Sequence, residues 1–82
     1  MMEKQELIAL IESGHEIEFS YDDKNFSITY GILDGARVIS FCEFYKESTE
    51  VHTVEELLQI ERYGVSVEKM IEGLTPDDVW IF

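Results

Sequence analysis

Cysteine, proline and basic residues are scarce in this sequence. Its 82 residues include one cysteine, one proline and six Lys or Arg. The lone Cys42 allows no intramolecular disulfide, which excludes the small secreted domains that depend on disulfides. No apolar run approaches the roughly 20 residues of a membrane-spanning helix, and Met1 to Glu6 lack the basic and apolar regions of a signal peptide. We therefore expect a cytoplasmic protein with no membrane partner.

The few basic residues leave the chain strongly acidic. Asp and Glu outnumber Lys and Arg by 18 to 6, and the net charge of -12 divides into -5 for residues 1–41 and -7 for residues 42–82. Such a chain repels phosphate backbones and anionic lipid, and the scattered cations form no basic patch in the sequence. Direct binding of nucleic acid or of a membrane surface is therefore not expected.

The length predicts one thin-cored domain that spans residues 1–82. A domain of this size buries only roughly 60–65% of the surface of its unfolded chain. The composition, 45% hydrophobic and 12% aromatic, still supports a core. Because no internal repeat or linker interrupts the sequence, we expect one continuous α+β domain.

The first half predicts a helix followed by strands. Apolar residues within 3–13 follow helical spacing, and Gly14 is placed as a left-handed C-terminal cap. From Ile17 onward the apolar period becomes two, which predicts strands on either side of a turn at Asp23-Lys24 and of a second turn at Asp34-Gly35.

These two turns together specify a strand register. The first turn pairs Ile17 with Tyr30, Phe19 with Ile28 and Tyr21 with Phe26. The second turn pairs Tyr30 with Ile39, Ile28 with Phe41 and Phe26 with Glu43. The apolar side chains share one face, while the other face is small and polar, with Ser20, Ser27 and Cys42 in one row. The prediction is a three-stranded antiparallel meander with one buried face.

The second half predicts helices on that buried face. The segment 46–50, KESTE, is predicted to be a polar turn, and Val51 to begin an optional fourth strand. Thr53 and Glu56 match a capping box for a second helix that ends near Gly64. Ser66 is a candidate N-cap for a short third helix that carries four apolar residues at helical spacing, Val67, Met70, Ile71 and Leu74.

The last eight residues, TPDDVWIF, predict a single helical turn followed by an extended apolar tail. Thr75 is a candidate N-cap and Pro76 occupies the first helical position. We expect the tail to fold back on its own core, with Trp80, Ile81 and Phe82 each contributing about 2–3 kcal/mol by burial. The alternative is that the tail forms a dimer or partner interface.

The segments IEFSY, at 17–21, and EELL, at 55–58, with the following Gly-containing turn and short helix, resemble a family of small uncharacterised proteins of Gram-positive bacteria. The resemblance covers roughly residues 16–74 and rests on turn and core residues. That family has no assigned activity, so the resemblance implies no functional residue and no cofactor. The predicted Asp-Lys turn departs from the family pattern, which tends to place a glycine there.

Residues that could carry chemistry are few and isolated in the sequence. His15, His52 and Cys42 show no metal-ligand spacing, and no base or cation that would activate the thiol is identifiable beside Cys42. Asp22, Asp23 and Asn25 are explained by a hairpin turn rather than by an ion site. No catalytic residue, metal or cofactor is therefore predicted.

Acidic residues concentrate between the third strand and the second helix and form the candidate partner-binding surface together with the tail. This set comprises Glu43, Glu47, Glu50, Glu55, Glu56, Glu61, Trp80 and Phe82. The simplest interpretation of these carboxylates is a solvated surface. The preferred functional hypothesis is a non-enzymatic protein-interaction or regulatory module that binds a protein partner through its acidic surface, its polar sheet face or its apolar tail, and a homodimer is the alternative. A second hypothesis is an inhibitor that mimics nucleic acid and occupies the basic groove of a DNA-binding protein. The third, a small enzyme, needs a pocket at Cys42, His15 or His52.

Overall fold

A computed structural model of the protein describes residues 3–82. Three helices, seven strands and one 3₁₀ turn follow each other within this range. In chain order they are α1 (Lys4–Glu12), β1 (Ile17–Tyr21), β2 (Lys24–Leu33), β3 (Ala36–Glu43), β4 (Ser48–Val51), α2 (Val54–Gln59), β5 (Glu61–Arg62), β6 (Val65–Ser66), α3 (Val67–Glu72), the 3₁₀ turn (Pro76–Asp78) and β7 (Val79–Ile81).

Five of the strands form one antiparallel sheet in the order β4-β3-β2-β1-β7, and β5 pairs with β6 in a separate hairpin. The α+β class and the antiparallel meander β1-β2-β3 are confirmed. The optional fourth strand is present as β4 at one edge. The sheet also has a fifth strand that was not predicted, because β7 pairs with β1 at the other edge.

The first hairpin turns one residue earlier than predicted. Asp22 and Asp23 both have positive φ angles, of 52° and 61°, as a two-residue type I′ turn requires. Phe19 therefore lies opposite Phe26, and Ile17 opposite Ile28. The predicted register is wrong by two residues on β2, but a shift of two keeps each side chain on its predicted face.

The second hairpin has its predicted turn and register. Asp34 and Gly35 have φ angles of 52° and 80°, and Tyr30 pairs with Ile39 as Ile28 pairs with Phe41. The prediction for KESTE is wrong in part, because Ser48 to Glu50 already belong to β4 and pair with β3.

The three helices cover the apolar face of the sheet. One cluster of buried side chains joins all three helices to the sheet: Leu7, Ile11, Ile17, Phe19, Phe26, Ile28, Ile39, Phe41, Leu57, Val67, Met70, Ile71, Leu74 and Val79. At its centre the ring centroids of Phe19 and Phe41 lie 5.3 and 5.4 Å from that of Phe26, with interplanar angles of 23° and 13°. These rings alone bury several hundred Å² of apolar surface.

Helix α2 is shorter than predicted. The predicted capping box is present, since Thr53 Oγ1 accepts a hydrogen bond from the Glu56 N–H at 3.1 Å. The helix ends at Gln59 because Ile60 is extended, with φ of -63° and ψ of 136°. Tyr63 and Gly64, with φ angles of 55° and 76°, then form a third type I′ turn between β5 and β6. Gly64 is thus a hairpin residue and not a helix cap.

Ser66 caps α3 as predicted, because its side-chain oxygen accepts a hydrogen bond from the Lys69 N–H at 3.1 Å.

The C-terminal tail folds back on the domain through its main chain. Residues Val79 to Ile81 pair antiparallel with β1, and the Phe82 N–H donates to the Glu16 carbonyl at 2.9 Å. The predicted fold-back is confirmed, but the predicted burial is wrong. Val79 is 9% exposed, whereas Trp80, Ile81 and Phe82 are 50%, 42% and 64% exposed.

The position of the first turn predicts opposite effects of two neighbouring glycine substitutions. Asp23→Gly should raise the free energy of unfolding by about 0.5–1 kcal/mol, because glycine adopts a positive φ without the steric cost of an L-residue. Lys24→Gly should lower it by about 1 kcal/mol, because Lys24 is a strand residue whose Nζ lies 4.5 Å from the Tyr63 ring centroid. Urea denaturation followed by circular dichroism measures both. Stabilisation by Lys24→Gly would instead place the turn at Asp23-Lys24, because both central residues of a type I′ turn have positive φ.

Candidate functional site

The face of the sheet that points away from the helices is polar except near the β2-β3 turn, where it carries Leu33 and the buried Val38, and its charges have one sign. Across the paired strands, Glu18, Ser27, Cys42 and Ser48 lie in one row, and Thr29, Ser40 and Glu50 in the next. On the five strands, the alternate positions that share this face include two glutamates and no Lys or Arg. An antiparallel sheet often leaves one face to water, so the polarity alone marks no site.

The C-terminal edge of this open face combines carboxylates with large aromatic rings. Trp80 lies directly opposite Glu18 on the neighbouring strand. Two residues farther along, the Phe82 N–H donates to the Glu16 carbonyl. Alternation places Trp80 and Phe82 on the same side of the sheet. We call Glu16, Glu18, Trp80 and Phe82 the acidic-aromatic edge.

The main chain at this edge is free to pair with another strand. The Phe82 N–H bonds to Glu16, the residue just before β1. Because residues of an antiparallel strand alternate in bonding direction, Trp80 also points its main-chain groups toward β1. The N–H and C=O of Ile81 then point outward from the sheet. Such an edge is a template for an added strand.

A shallow cavity of about 230 Å³ opens beside Trp80 on the open face. Its polar lining comes from Glu18 and Asn25, and its aromatic lining from Trp80 and Phe44, with Phe19 completing the wall. Phe44 reaches this position because the β3 ladder continues past Glu43, where the Phe44 N–H donates to the Asn25 carbonyl at 2.9 Å. We call this cavity the Trp80 trough.

The structure separates the acidic residues that the sequence places in one surface. Glu50 lies on the open face, while Glu43 lies on the opposite side of the sheet, opposite Phe26. Glu55 and Glu56 belong to α2, and Glu47 to the turn that precedes β4. Another member, Glu61, lies in the β5-β6 hairpin. Of the candidate residues, Glu50, Trp80 and Phe82 share the open side.

Several of these carboxylates are bound within the domain. Glu43 accepts a hydrogen bond of 2.6 Å from the Tyr63 hydroxyl, which raises the pKa of Tyr63. Glu50 accepts from the hydroxyls of Ser48 and Ser40 at 2.6 and 2.9 Å, and these bonds hold the pKa of Glu50 below its ordinary value. Glu50 is thus fixed on the open face as a carboxylate.

The residues that could carry catalysis are bonded elsewhere and not to each other. Cys42 Sγ lies 3.0 Å from the carbonyl oxygens of Glu43 and Lys46, to either of which the thiol can donate. His15 Nδ1 lies 3.1 Å from the Phe82 carbonyl, and His52 Nδ1 lies 3.4 Å from that of Arg37. Within residues 3–82 no group of three or more His, Cys, Asp or Glu could hold a metal ion.

A second cavity, of about 240 Å³, lies at the other side of the sheet near α1. Its lining mixes charges, since Arg37 and His52 face it together with Glu12. The Arg37 guanidinium lies 5.4 Å from the Tyr30 ring centroid, and Tyr30 donates to the His15 carbonyl at 2.7 Å. The mixture of charges favours no ligand class.

Sequence reasoning missed Glu16, Glu18 and Phe44 as parts of a site. Alternation with Ile17 and Phe19 puts Glu18 on the polar face, but it does not show which strand lies on the outer side of β1. The signal lies in the alternation of Glu16 and Glu18, and in that of Trp80 and Phe82 on the tail. Pairing the tail with β1 would have brought the two together.

The capping carboxylate of α2 predicts a pH-dependent stability. The N–H groups of His52 and Thr53 donate to Glu56 at 2.9 and 3.1 Å, and chiefly the His52 bond holds the pKa of Glu56 below its ordinary value of 4.5. The ionised form therefore stabilises the fold above that value, and this contribution is lost as the pH falls through the lowered pKa.

Glu56→Gln should reduce the free energy of unfolding at pH 7, and the difference from wild type should shrink as the pH falls below 4.5. Glu55→Gln removes the same charge from the adjacent exposed position and should change stability little across this range. Denaturant titrations between pH 3 and pH 7, with pH steps of about half a unit, measure both variants. A difference for Glu56→Gln that is the same at every pH would contradict the role of its charge.

Comparison with protein-family models, curated proteins and solved structures found no match for the chain. The resemblance to the Gram-positive family therefore stays a prediction. Among the helices formed by residues 3–82, none has the length and apolar character to cross a membrane.

Proposed function

We propose that the protein is a non-enzymatic interaction module that binds a basic protein through the open face of its sheet, centred on the acidic-aromatic edge. The observation that carries this proposal is the exposure of Trp80 and Phe82, 50% and 64%, beside Glu18 and Glu16. Exposed aromatic side chains are frequent anchors of protein interfaces.

The charge of the surface supports a basic partner. The open face presents Glu18 and Glu50, and no strand residue of that face is basic. None of the ion pairs formed within residues 3–82 includes Glu16, Glu18 or Glu50. Glu16 and Glu18 are therefore available to the cations of a partner, and Glu50 adds its charge to the same face while it accepts hydrogen bonds from Ser40 and Ser48.

The same charge disfavours a homodimer through this face. Two copies would each bring a net charge of -12 and would juxtapose carboxylates, and like charges in contact oppose association. A basic segment would instead be drawn toward the edge. An extended segment laid along β7 would also meet the free main-chain groups of Ile81.

The surroundings of the Cys42 thiol support a non-enzymatic role. Cys42 lies beside carbonyl oxygens and hydroxyls, which do not activate a thiol. Its neighbours on the open face are Ser27 and Ser48. The single cysteine also fits a reducing compartment, and we propose the cytoplasm.

Affinity capture with matched baits tests this proposal. Full-length wild type, Trp80→Ala and Glu18→Gln are immobilised together with two control baits, Ile32→Ala and Glu55→Gln. Ile32 is 72% exposed at the far end of the β2-β3 hairpin, and Glu55 carries the same charge on α2. Lysate of cells that produce the chain is applied at low and moderate salt, and retained proteins are identified by mass spectrometry.

We expect one basic protein to be retained by wild type and by both controls. Trp80→Ala should weaken its binding roughly 30-fold, the factor typical of a loss of about 2 kcal/mol at a central aromatic anchor. Glu18→Gln should weaken binding at low salt and less at moderate salt, because screening already reduces the attraction there.

Two outcomes would contradict the proposed surface. Retention that survives Trp80→Ala but not Glu55→Gln would move the interface to α2. A retained protein that duplex DNA displaces from every bait alike would favour the nucleic-acid mimic instead. Circular dichroism and urea denaturation of each bait check that the variants are folded.

A further inference from the structure

We propose that the Trp80 trough binds one cationic side chain, the ammonium head of a lysine or methylated lysine or the guanidinium of an arginine. This inference rests on the proposed function and names the group by which a basic partner is recognised. These side chains share one chemistry, because each carries a positively charged group at the end of an aliphatic chain.

The size of the trough suits a single side chain. Its volume of about 230 Å³ lies below the roughly 300–1,000 Å³ of pockets that hold small-molecule ligands. It is open to solvent beside the edge strand, so a side chain from a segment lying along β7 could enter without any movement of the sheet.

The lining of the trough matches a cation in two independent ways. Trp80 and Phe44 present aromatic rings, whose faces attract a positive charge held within about 6 Å. Glu18 provides a carboxylate in the same lining, and it lies directly opposite Trp80 across the β1-β7 pairing. An anionic ligand would be repelled by Glu18, and an apolar ligand without a hydrogen-bond donor would gain nothing from its carboxylate.

The fold fixes the main-chain positions of both aromatic residues. The register of β7 fixes Trp80 beside Glu18, and Phe44 is fixed by its main-chain bond to Asn25. Phe44 also contacts the Tyr45 ring edge-on, with centroids 6.2 Å apart and an interplanar angle of 88°. Lys46, the nearest cation along the chain to Phe44, is exposed in the following turn.

Nuclear magnetic resonance titration of the full-length chain with four blocked amino acids tests the inference. The probes are the N-acetyl methylamides of trimethyllysine, lysine, arginine and norleucine, the last of which is the neutral match for lysine. The three cationic probes should shift the Trp80 indole N–H and the amides of Glu18 and Phe44. Norleucine should bind about fivefold more weakly or not at all, a ratio typical of a cation-π contact at a partly exposed site.

Variants separate the two features of the lining. Glu18→Gln should weaken the cationic probes about threefold and leave norleucine unchanged, since only charge is removed. Trp80→Ala should abolish the shifts, while Ile32→Ala should leave all four titrations unchanged. The order of trimethyllysine, lysine and arginine identifies which head the trough prefers.

Equal binding of norleucine and lysine would overturn the inference and show an apolar groove that ignores charge. Shifts confined to residues outside the trough would overturn it as well. Its failure is distinguishable from failure of the proposed function. If the basic protein is lost with Trp80→Ala but no cationic probe binds, the interaction surface stands and the cation site falls.

Discussion

The helices of this small domain cover one face of its sheet, and the second face is left open. Helices of nine, six and six residues pack on the apolar side, where the rings of Phe19, Phe26 and Phe41 form the centre of the core. Within residues 3–82 all three helices contribute to the core cluster on that side, and the other side is formed by the side chains of the sheet. The residues there must therefore be compatible with water, and the small hydroxyl side chains of β1, β2 and β3 meet that requirement.

The last strand, β7, and the residue that follows it add exposed aromatic side chains to the open face. Strand β7 completes the sheet through its main-chain pairing with β1, and only Val79 of its side chains is buried. A tail that served the core alone would bury its largest residues, yet Trp80 and Phe82 remain exposed on the face that carries Glu16 and Glu18. The fold thus uses the backbone of the tail for stability and leaves its aromatic side chains available to a partner.

Sequence reasoning predicted the features that depend on local chemistry and periodicity. The capping box of Thr53 and Glu56, the turn at Asp34-Gly35 and the alternation that buries one face were all correct. The first hairpin was misplaced because aspartate is less often than glycine the residue of a left-handed turn, and Asp22-Asp23 therefore gave a weaker signal than Asp34-Gly35. Side chains of a strand return to the same face every two residues, so the pattern of apolar and polar faces does not reveal a register error of two residues.

The remaining errors came from contacts between distant segments. The polarity of Ser48 to Glu50 favoured a turn, but pairing with β3 makes a polar segment a stable edge strand. The site depends on such a contact as well. Trp80 was identified as a candidate from its apolar neighbours, whereas Glu18 and Phe44 join it only because β1, β3 and β7 meet in one sheet, which no local pattern specifies.

Site-specific photo-crosslinking tests most directly whether the acidic-aromatic edge is the interaction surface. The photo-reactive amino acid p-benzoylphenylalanine is placed at position 80 of the full-length chain and, as a matched exposed control, at position 32. Irradiation in the cells that produce the protein should yield a covalent adduct with a basic protein from position 80 and none from position 32. An adduct from position 32 alone, or an adduct from position 80 only with a second copy of the chain, would contradict the account.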